Sequence, residues 1–171
     1  MRKVLPLLAV VLALAGCVRT RLSRWEPADD LSAAREAASG LVAGYWLQDF
    51  TAPYKPAVFL GPVIDHSGEA WSDSLLLATL ADALIASGKL RLVLPRLAES
   101  APAESLDLDR IKDLARASDA DYLLWGELSG GADLSLRSYR LELRLLDPRG
   151  EASFWQFQRL LQKPLRVPLK S

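Results

Sequence analysis

Asp65, His66 and Ser67 are the residues that most readily suggest catalysis, because together they supply the members of a Ser-His-Asp triad. In such a triad the three groups converge from distant segments, since sequence neighbours cannot orient one another as base and nucleophile. The chain also lacks a Gly-x-Ser-x-Gly turn and a Gly-rich phosphate loop. One histidine and one cysteine are too few for a zinc site, and an internal disulfide is impossible. We therefore predict a polar loop at 65–67, no enzymatic activity, no metal and no cofactor.

The single thiol, that of Cys17, follows a segment typical of a secretory signal. Arg2 and Lys3 give a basic start, and residues 4–15 are almost entirely apolar. This stretch is too short for a permanent membrane span but suits the apolar region of a signal peptide. The order Leu14-Ala15-Gly16-Cys17 resembles the lipobox of bacterial lipoproteins. The resemblance implies cleavage before the cysteine, a diacylglycerol thioether on its sulfur and an acyl chain such as palmitate on its new amine.

Several acyl chains on one residue give lasting membrane attachment. Residue 18 is Val rather than Asp, which in the lipoproteins it resembles implies sorting to the outer membrane. We therefore predict a lipid-anchored outer-membrane protein facing the periplasm. Its parts are a signal peptide (1–16), a lipidated N-terminus with a short tether (17–28) and a periplasmic α/β domain (29–171). With 21 basic and 21 acidic residues the chain has no net charge, which argues against a nucleic-acid partner.

Hydrophobic residues make up half of the 171-residue chain, which is enough for one packed domain. Helical periodicity predicts three helices, which begin at Asp29 or Asp30, at Ser72 or Asp73, and near Leu108. Apolar runs between them predict strands at 57–64, 90–94 and 121–128, with a stop near Pro62 and a turn or bulge at Gly130-Gly131. Two more strands follow. This order predicts a single α/β domain with a mixed sheet of four or five strands and packed helices.

The last two strands have the clearest pattern, because apolar and charged residues alternate from Tyr139 to Leu145. Pro148-Arg149-Gly150 is predicted to form a three-residue hairpin loop with Gly150 in the left-handed conformation. That loop would place Leu143 opposite Trp155 and keep the apolar side chains on one face. The other face would then carry Arg140, Glu142, Arg144, Phe154, Gln156 and Gln158.

This polar face has two interpretations, which the sequence leaves open. It is either simply solvated, or a partner-binding surface, since arginine and aromatic residues are favoured at such surfaces. Trp71 is a further candidate contact residue, because it follows a polar loop and precedes a helix cap; the tryptophans at 46, 125 and 155 are assigned to the core. The candidate partner-binding residues are Trp71, Arg140, Glu142, Arg144, Phe154 and Gln156.

Four segments occur together in one order: 56–65, then 80–93 with Ser87-Gly88-Lys89, then 119–128 with Asp121-Tyr122 and Gly126, and 139–155 with Leu146-Asp147 and Trp155-Gln156. Behind a lipobox, this order resembles the LpoB family, the outer-membrane lipoprotein activators of class A penicillin-binding proteins. The resemblance spans roughly residues 29–163. It implies a TolB-N-terminal-like fold and a monomer without catalysis. It also implies a class A penicillin-binding protein as partner, whose peptidoglycan synthesis, and with it cell shape, the chain would regulate.

A second function class remains open at this point. The same fold occurs in outer-membrane export proteins that oligomerise through it, so an envelope assembly or secretion lipoprotein is the alternative. Such proteins usually carry an added amphipathic hairpin, and the sequence shows none.

Overall fold

The computed structural model describes residues 24–48, 50, 53–94, 107–133 and 135–164. The predictions for the signal peptide, for Cys17 and most of the tether, and for the loop at 96–105 lie outside these residues. Within them, a short 3-10 turn (Tyr45–Leu47) accompanies three α-helices and five strands. These are α1 (Pro27–Val42), β1 (Ala57–His66), α2 (Ser74–Ser87), β2 (Arg91–Val93), α3 (Leu108–Ala117), β3 (Tyr122–Ala132), β4 (Leu136–Leu146) and β5 (Ser153–Pro164).

The five strands form one mixed sheet in the order β2-β1-β3-β4-β5. β1 is parallel to both β2 and β3, whereas β3, β4 and β5 are antiparallel neighbours. Helices α2 and α3 each connect two parallel strands, as parallel pairing requires. The predicted order of elements, the single α/β domain and the mixed sheet are confirmed.

Two apolar cores lie on opposite faces of the sheet. The larger core fills the space between the sheet and helices α1 and α2, and the smaller core lies beneath α3. β1 and β3 contribute to both, because successive side chains of a strand point to opposite faces. This explains why both strands read as continuous apolar runs, while β4 alternates. The inner side chains of β4 are all buried: Tyr139, Leu141, Leu143 and Leu145.

The stop predicted near Pro62 is wrong, because β1 continues to His66. Proline has no N–H to donate to a ladder. The pairing of β1 with β3 shifts between Leu60 and Val63, so that Gly61 and Pro62 fall in an irregularity where no ladder bond is needed.

The turn predicted at Gly130-Gly131 also lies elsewhere. Both glycines belong to β3 and pair with Tyr139 and Ser138 of β4. The chain reverses only after Ala132, where the Asp133 N–H donates to the Leu136 carbonyl oxygen at 2.8 Å.

The β4–β5 connection is longer than the predicted three residues. The Asp147 N–H donates to the Ala152 carbonyl oxygen at 2.9 Å, and the Asp147 side chain accepts the Arg149 N–H at 2.8 Å. Gly150 does not have the positive φ that was predicted. Leu143 therefore pairs with Phe157 instead of Trp155. Because this shift is two residues, the inner and outer faces of β4 stay as predicted.

The packed part of the chain begins before the predicted boundary at residue 29. Trp25 is only 5% exposed, and α1 starts at Pro27. Asp29, predicted as a possible N-cap, is instead the third residue of α1. The N-cap is Glu26, and the two form a capping box in which the Asp29 carboxylate accepts the Glu26 N–H at 2.8 Å. Residues 25–28 therefore pack with the domain.

Polar contacts join β5 to α1 along the inner face of the sheet. Lys163 Nζ lies 2.6 Å from Asp29 Oδ2, and Arg159 Nη1 donates to Ser32 Oγ at 2.9 Å. Lys163 Nζ also donates to the Arg24 carbonyl oxygen at 2.7 Å. These contacts place the N-terminal half of α1 over the edge strand.

Gly126 lies where β3 and β4 approach too closely for a side chain. A Cβ built on it would lie 2.5 Å from Leu143 Cδ2 and 2.8 Å from the Glu142 carbonyl oxygen. We expect Gly126→Ala to lower the free energy of unfolding by about 1–3 kcal/mol, through overpacking. Gly131→Ala is the matched control, because a Cβ there would meet Ser138 Oγ at an ordinary 3.7 Å. Urea unfolding tests this, and equal midpoints for the two variants would contradict it.

Candidate partner-docking surface

The outer face of β4 and β5 carries polar side chains and has no helix over it in the described part of the chain. On this side α3 packs against Phe59 of β1 and Leu123 and Trp125 of β3, and the small core contains no residue of β5. We call this surface the open face. It brings together four of the predicted contact residues, with Gln158 beside them: Arg140, Glu142, Arg144 and Gln156.

Hydrogen bonds hold the centre of the open face in place. Arg144 Nη2 donates to Glu142 Oε2 at 2.7 Å, and Gln158 Nε2 donates to Glu142 Oε1 at 3.3 Å. Both carboxylate oxygens of Glu142 are therefore engaged. Such a network reduces the side-chain ordering that a partner would otherwise have to impose on binding.

Arg140 differs from its neighbours, because its guanidinium has no hydrogen-bond or ion-pair partner among the described residues. It pairs across the strands with Leu160, which is 60% exposed. Arginine is enriched at protein interfaces, and the exposed leucine beside this guanidinium adds apolar surface that a partner could bury. Sequence reasoning missed Leu160, since the predicted register placed Gln158 opposite Arg140.

Phe154 does not lie on the open face, so that prediction is wrong. The pairing of β4 with β5 shifts between Leu145 and Leu146, which makes Phe154 the additional residue of a bulge. A bulge interrupts the alternation of side chains. The Phe154 ring instead lies on the inner face of the sheet, which α1 and α2 cover. Its centroid is 5.0 Å from that of Tyr122 in an edge-to-face arrangement.

Trp71 is also separate from the open face. Its indole N–H donates to Asp30 Oδ1 at 3.2 Å, and the indole N–H of Trp25 donates to the same oxygen at 2.6 Å. The two indole rings meet edge to face with centroids 6.5 Å apart. Trp71 therefore joins the loop after β1 to the beginning of α1.

The Asp30 carboxylate is the centre of this cluster and is only 4% exposed. Burial raises its pKa above the ordinary value of 3.8, although the two indole hydrogen bonds oppose the shift. Next to it the Tyr139 hydroxyl donates to Glu69 Oε1 at 2.9 Å, and Arg137 forms an ion pair with the same carboxylate. Burial, and then the bond to Glu69, raise the pKa of Tyr139. We call these residues the Asp30 cluster: Trp25, Asp30, Glu69, Trp71, Arg137 and Tyr139.

Sequence reasoning did not find the Asp30 cluster, because it assigned Trp25 to the tether and Asp30 to a helix cap. A tryptophan within a supposed tether was the available signal, since tryptophan is highly buried on average.

The polar loop predicted at 65–67 is wrong for its first two residues. Asp65 and His66 belong to β1 and pair with Leu128 and Ser129 of β3, so only Ser67 lies beyond the strand. The Asp65 carboxylate accepts the Ser67 backbone N–H at 2.7 Å, and His66 is exposed at the end of β1. Among the described residues, no group of three or more His, Cys, Asp or Glu side chains has a geometry suited to a metal ion. No helix in the described ranges is long and apolar enough to cross a bilayer.

Comparison with solved structures identifies this fold. The LpoB C-terminal domain from Salmonella enterica superposes with a TM-score of 0.59 at 19% identity, covering 79% of this chain and 99% of that domain. The LpoB C-terminal domain from Escherichia coli gives a TM-score of 0.56 at 18% identity with the same coverage. The NMR structure of E. coli LpoB gives 0.50 at 16% identity, covering 86% of this chain and 78% of that one. No protein-family model and no curated protein sequence matches this chain.

The fold is therefore LpoB-like, as the resemblance read from the sequence predicted. At these identities the likeness concerns the fold alone.

Replacing Asp30 should distinguish its role as hydrogen-bond acceptor from its charge. Asp30→Ala leaves two indole N–H groups without an acceptor, so we expect a loss of about 1–3 kcal/mol in the free energy of unfolding. Asp30→Asn keeps an acceptor oxygen and should lose less. Denaturant unfolding at pH 7 measures both, and equal losses would contradict this role.

The charge of Asp30 predicts a pH dependence. Because its pKa is higher in the folded than in the unfolded state, its contribution to stability is fully present below pH 3.8 and decreases as pH rises through the folded pKa. As pH rises from 3.8 through the folded pKa, the native chain should therefore lose stability relative to Asp30→Asn. Unfolding curves at a series of pH values test this, and a constant difference would exclude it.

Proposed function

We propose that this chain is an outer-membrane lipoprotein, anchored through Cys17, that binds a class A penicillin-binding protein and activates its peptidoglycan synthesis. The observation that carries the proposal is the fold likeness to the two LpoB C-terminal domains, each matched over 99% of its length. The lipobox-like order from Leu14 to Cys17 supports the anchor independently. The chain itself performs no chemical step in this proposal.

Activation without chemistry requires differential binding. A partner with resting and active conformations is shifted only if the docked protein binds the active conformation more tightly. The open face is the proposed docking surface, because it combines the unpaired Arg140 guanidinium, the exposed Leu160 and the ordered pair of Glu142 and Arg144. The side chains of Glu142, Arg144 and Gln158 are held before binding, which lowers the entropic cost of docking.

The short tether restricts where the partner can be met. From Cys17 to Trp25, where packing begins, the extended chain spans roughly 28 Å. The sheet adds roughly 40 Å along its longest strands. The partner must therefore offer its docking surface within about 70 Å of the outer membrane.

The anchor is tested by replacing its sulfur. Under this proposal Cys17→Ser removes the site of the thioether and blocks the processing that frees the amine for acylation. Metabolic labelling with an alkyne palmitate should mark the native chain and leave the variant unlabelled. Equal labelling of both would refute lipid attachment at this residue.

The open face is tested by reversing one charge. We expect Arg140→Glu to weaken binding to a purified class A penicillin-binding protein at least tenfold, which is about 1.4 kcal/mol. Arg144→Glu should weaken it as well, since it breaks the pair with Glu142. Arg35→Glu, an equal charge change at an exposed position of α1, is the control.

Affinity and glycan synthesis are measured together with the full-length chain in detergent. The open face is the wrong surface if Arg140→Glu binds the synthase as tightly as Arg35→Glu. Gel filtration of the same preparations should show a monomer; a ring-sized oligomer would instead favour the assembly or secretion alternative.

A further inference from the structure

A groove lies at the end of the domain opposite the Asp30 cluster. It runs between the last turn of α1 and the segment before β1, and continues past the end of α2 to β2. Its two halves share Pro53, Tyr54, Lys55 and Gly88. We call it the distal groove, because β1 leads from it to the Asp30 cluster over roughly 30 Å.

The charged side chains that line the distal groove are all basic. They are Lys55, Lys89 and Arg91, and none of its described lining residues is acidic. Lys89 Nζ is fixed at the rim, where it donates to the Val42 carbonyl oxygen at 2.9 Å. The Asp121 carboxylate lies next to the groove, where it accepts the Tyr54 hydroxyl. Three cations against this one carboxylate leave the groove with a net positive charge, which is complementary to an anionic ligand.

Exposed apolar side chains accompany these cations. Tyr54 is 57% exposed and Ile85 is 59% exposed, and Tyr45 lies nearby with 84% of its surface exposed. Tyr54 is ordered nevertheless: its ring stacks on Phe50 with centroids 5.7 Å apart, and its hydroxyl donates to Asp121 Oδ2 at 3.0 Å. An aromatic ring that is exposed and already fixed in place is typical of a contact residue.

The position of the groove favours a protein segment as its ligand, rather than the surface of the membrane to which the chain is anchored. Under the proposed function the lipid is joined to the domain through Trp25, which lies in the Asp30 cluster. The groove opens at the other end and is concave, which suits an inserted segment better than a flat lipid surface.

We propose that the distal groove binds an acidic segment of a partner protein that carries at least one apolar side chain. This rests on the proposed function, in that the partner is the wall synthase on which the chain docks. The carboxylates of the segment lie against Lys55, Lys89 and Arg91, and its apolar side chain packs between Tyr54 and Ile85. The groove is thus a second contact, separate from the open face.

The first measurement uses the full-length chain in detergent and a short fluorescein-labelled peptide in which acidic and apolar residues alternate. Fluorescence anisotropy should show binding that weakens as salt is raised, since screening reduces attraction between exposed charges. A peptide with lysine in place of every acidic residue should not bind. Vesicles of phosphatidylcholine with phosphatidylglycerol, added without detergent, provide the membrane comparison. Because the acyl anchor itself inserts into lipid, only vesicle binding that the groove variants lose is assigned to the groove.

Lys55→Glu with Arg91→Glu should weaken peptide binding at least tenfold, and Ile85→Ser should weaken it without changing charge. Both changes are at exposed positions, so the fold should remain intact; Arg35→Glu is again the control. Lys89 is left unchanged because it caps α1. Vesicle binding that the groove variants lose, with no binding of the acidic peptide, would overturn the inference in favour of a membrane contact.

Binding of the purified synthase separates this inference from the proposed function. If the native chain binds the synthase and the groove variants bind it equally well, the groove inference fails while the proposed function stands. If the chain binds the acidic peptide through the groove but no synthase, the ligand chemistry stands and the proposed function fails. Parallel losses of peptide and synthase binding in the groove variants support both.

Discussion

The alternation of side chains along β4 is the constraint on which the rest of the structure depends. Its inner residues, from Tyr139 to Leu145, are almost completely buried and must be covered by helices. α1 and α2 provide that cover, and the contacts of Lys163 and Arg159 join α1 to the edge strand. With both helices on the inner face and α3 over β1 and β3, no helix among the described residues covers the outer face of β4 and β5. The open face is therefore a consequence of how the core is closed.

The domain is chemically different at its two ends. At one end a buried carboxylate, Asp30, accepts hydrogen bonds from two indoles and joins the start of the fold to the loop after β1. At the other end, basic and apolar side chains line a groove in which the described residues include no acidic group. A protein attached at the first end presents the second away from its attachment. This difference between the two ends suits a protein that is attached to a membrane at one end and binds a partner at the other, as the proposed function requires.

The buried side chain of Trp25 makes part of the predicted linker a part of the folded domain. Its ring packs against Trp71 and Tyr139, so the residues around it belong to the domain. If the chain is anchored as proposed, a force on the anchor acts first on Trp25 and through it on Asp30, and the segment between Cys17 and Trp25 sets the distance from the membrane at which a partner is met.

Local patterns in the sequence were sufficient to predict the order of the elements, the mixed sheet and which residues of β4 face outward. These features depend on periodicity within a few residues, which any element of that type expresses. The tertiary structure alone decided the β4–β5 register, the bulge that moves Phe154 to the inner face under α1 and α2, and the contact of Trp25 and Trp71 with Asp30. The meeting of Trp25, Asp30 and Trp71 depends on segments far apart in the chain. The register and the bulge depend on how two neighbouring strands pair across their loop, which the alternation within either strand does not specify. The alternation along β4 was enough to predict that Arg140 faces outward. That Leu160 lies beside it depends on the register of β5, which the structure alone shows.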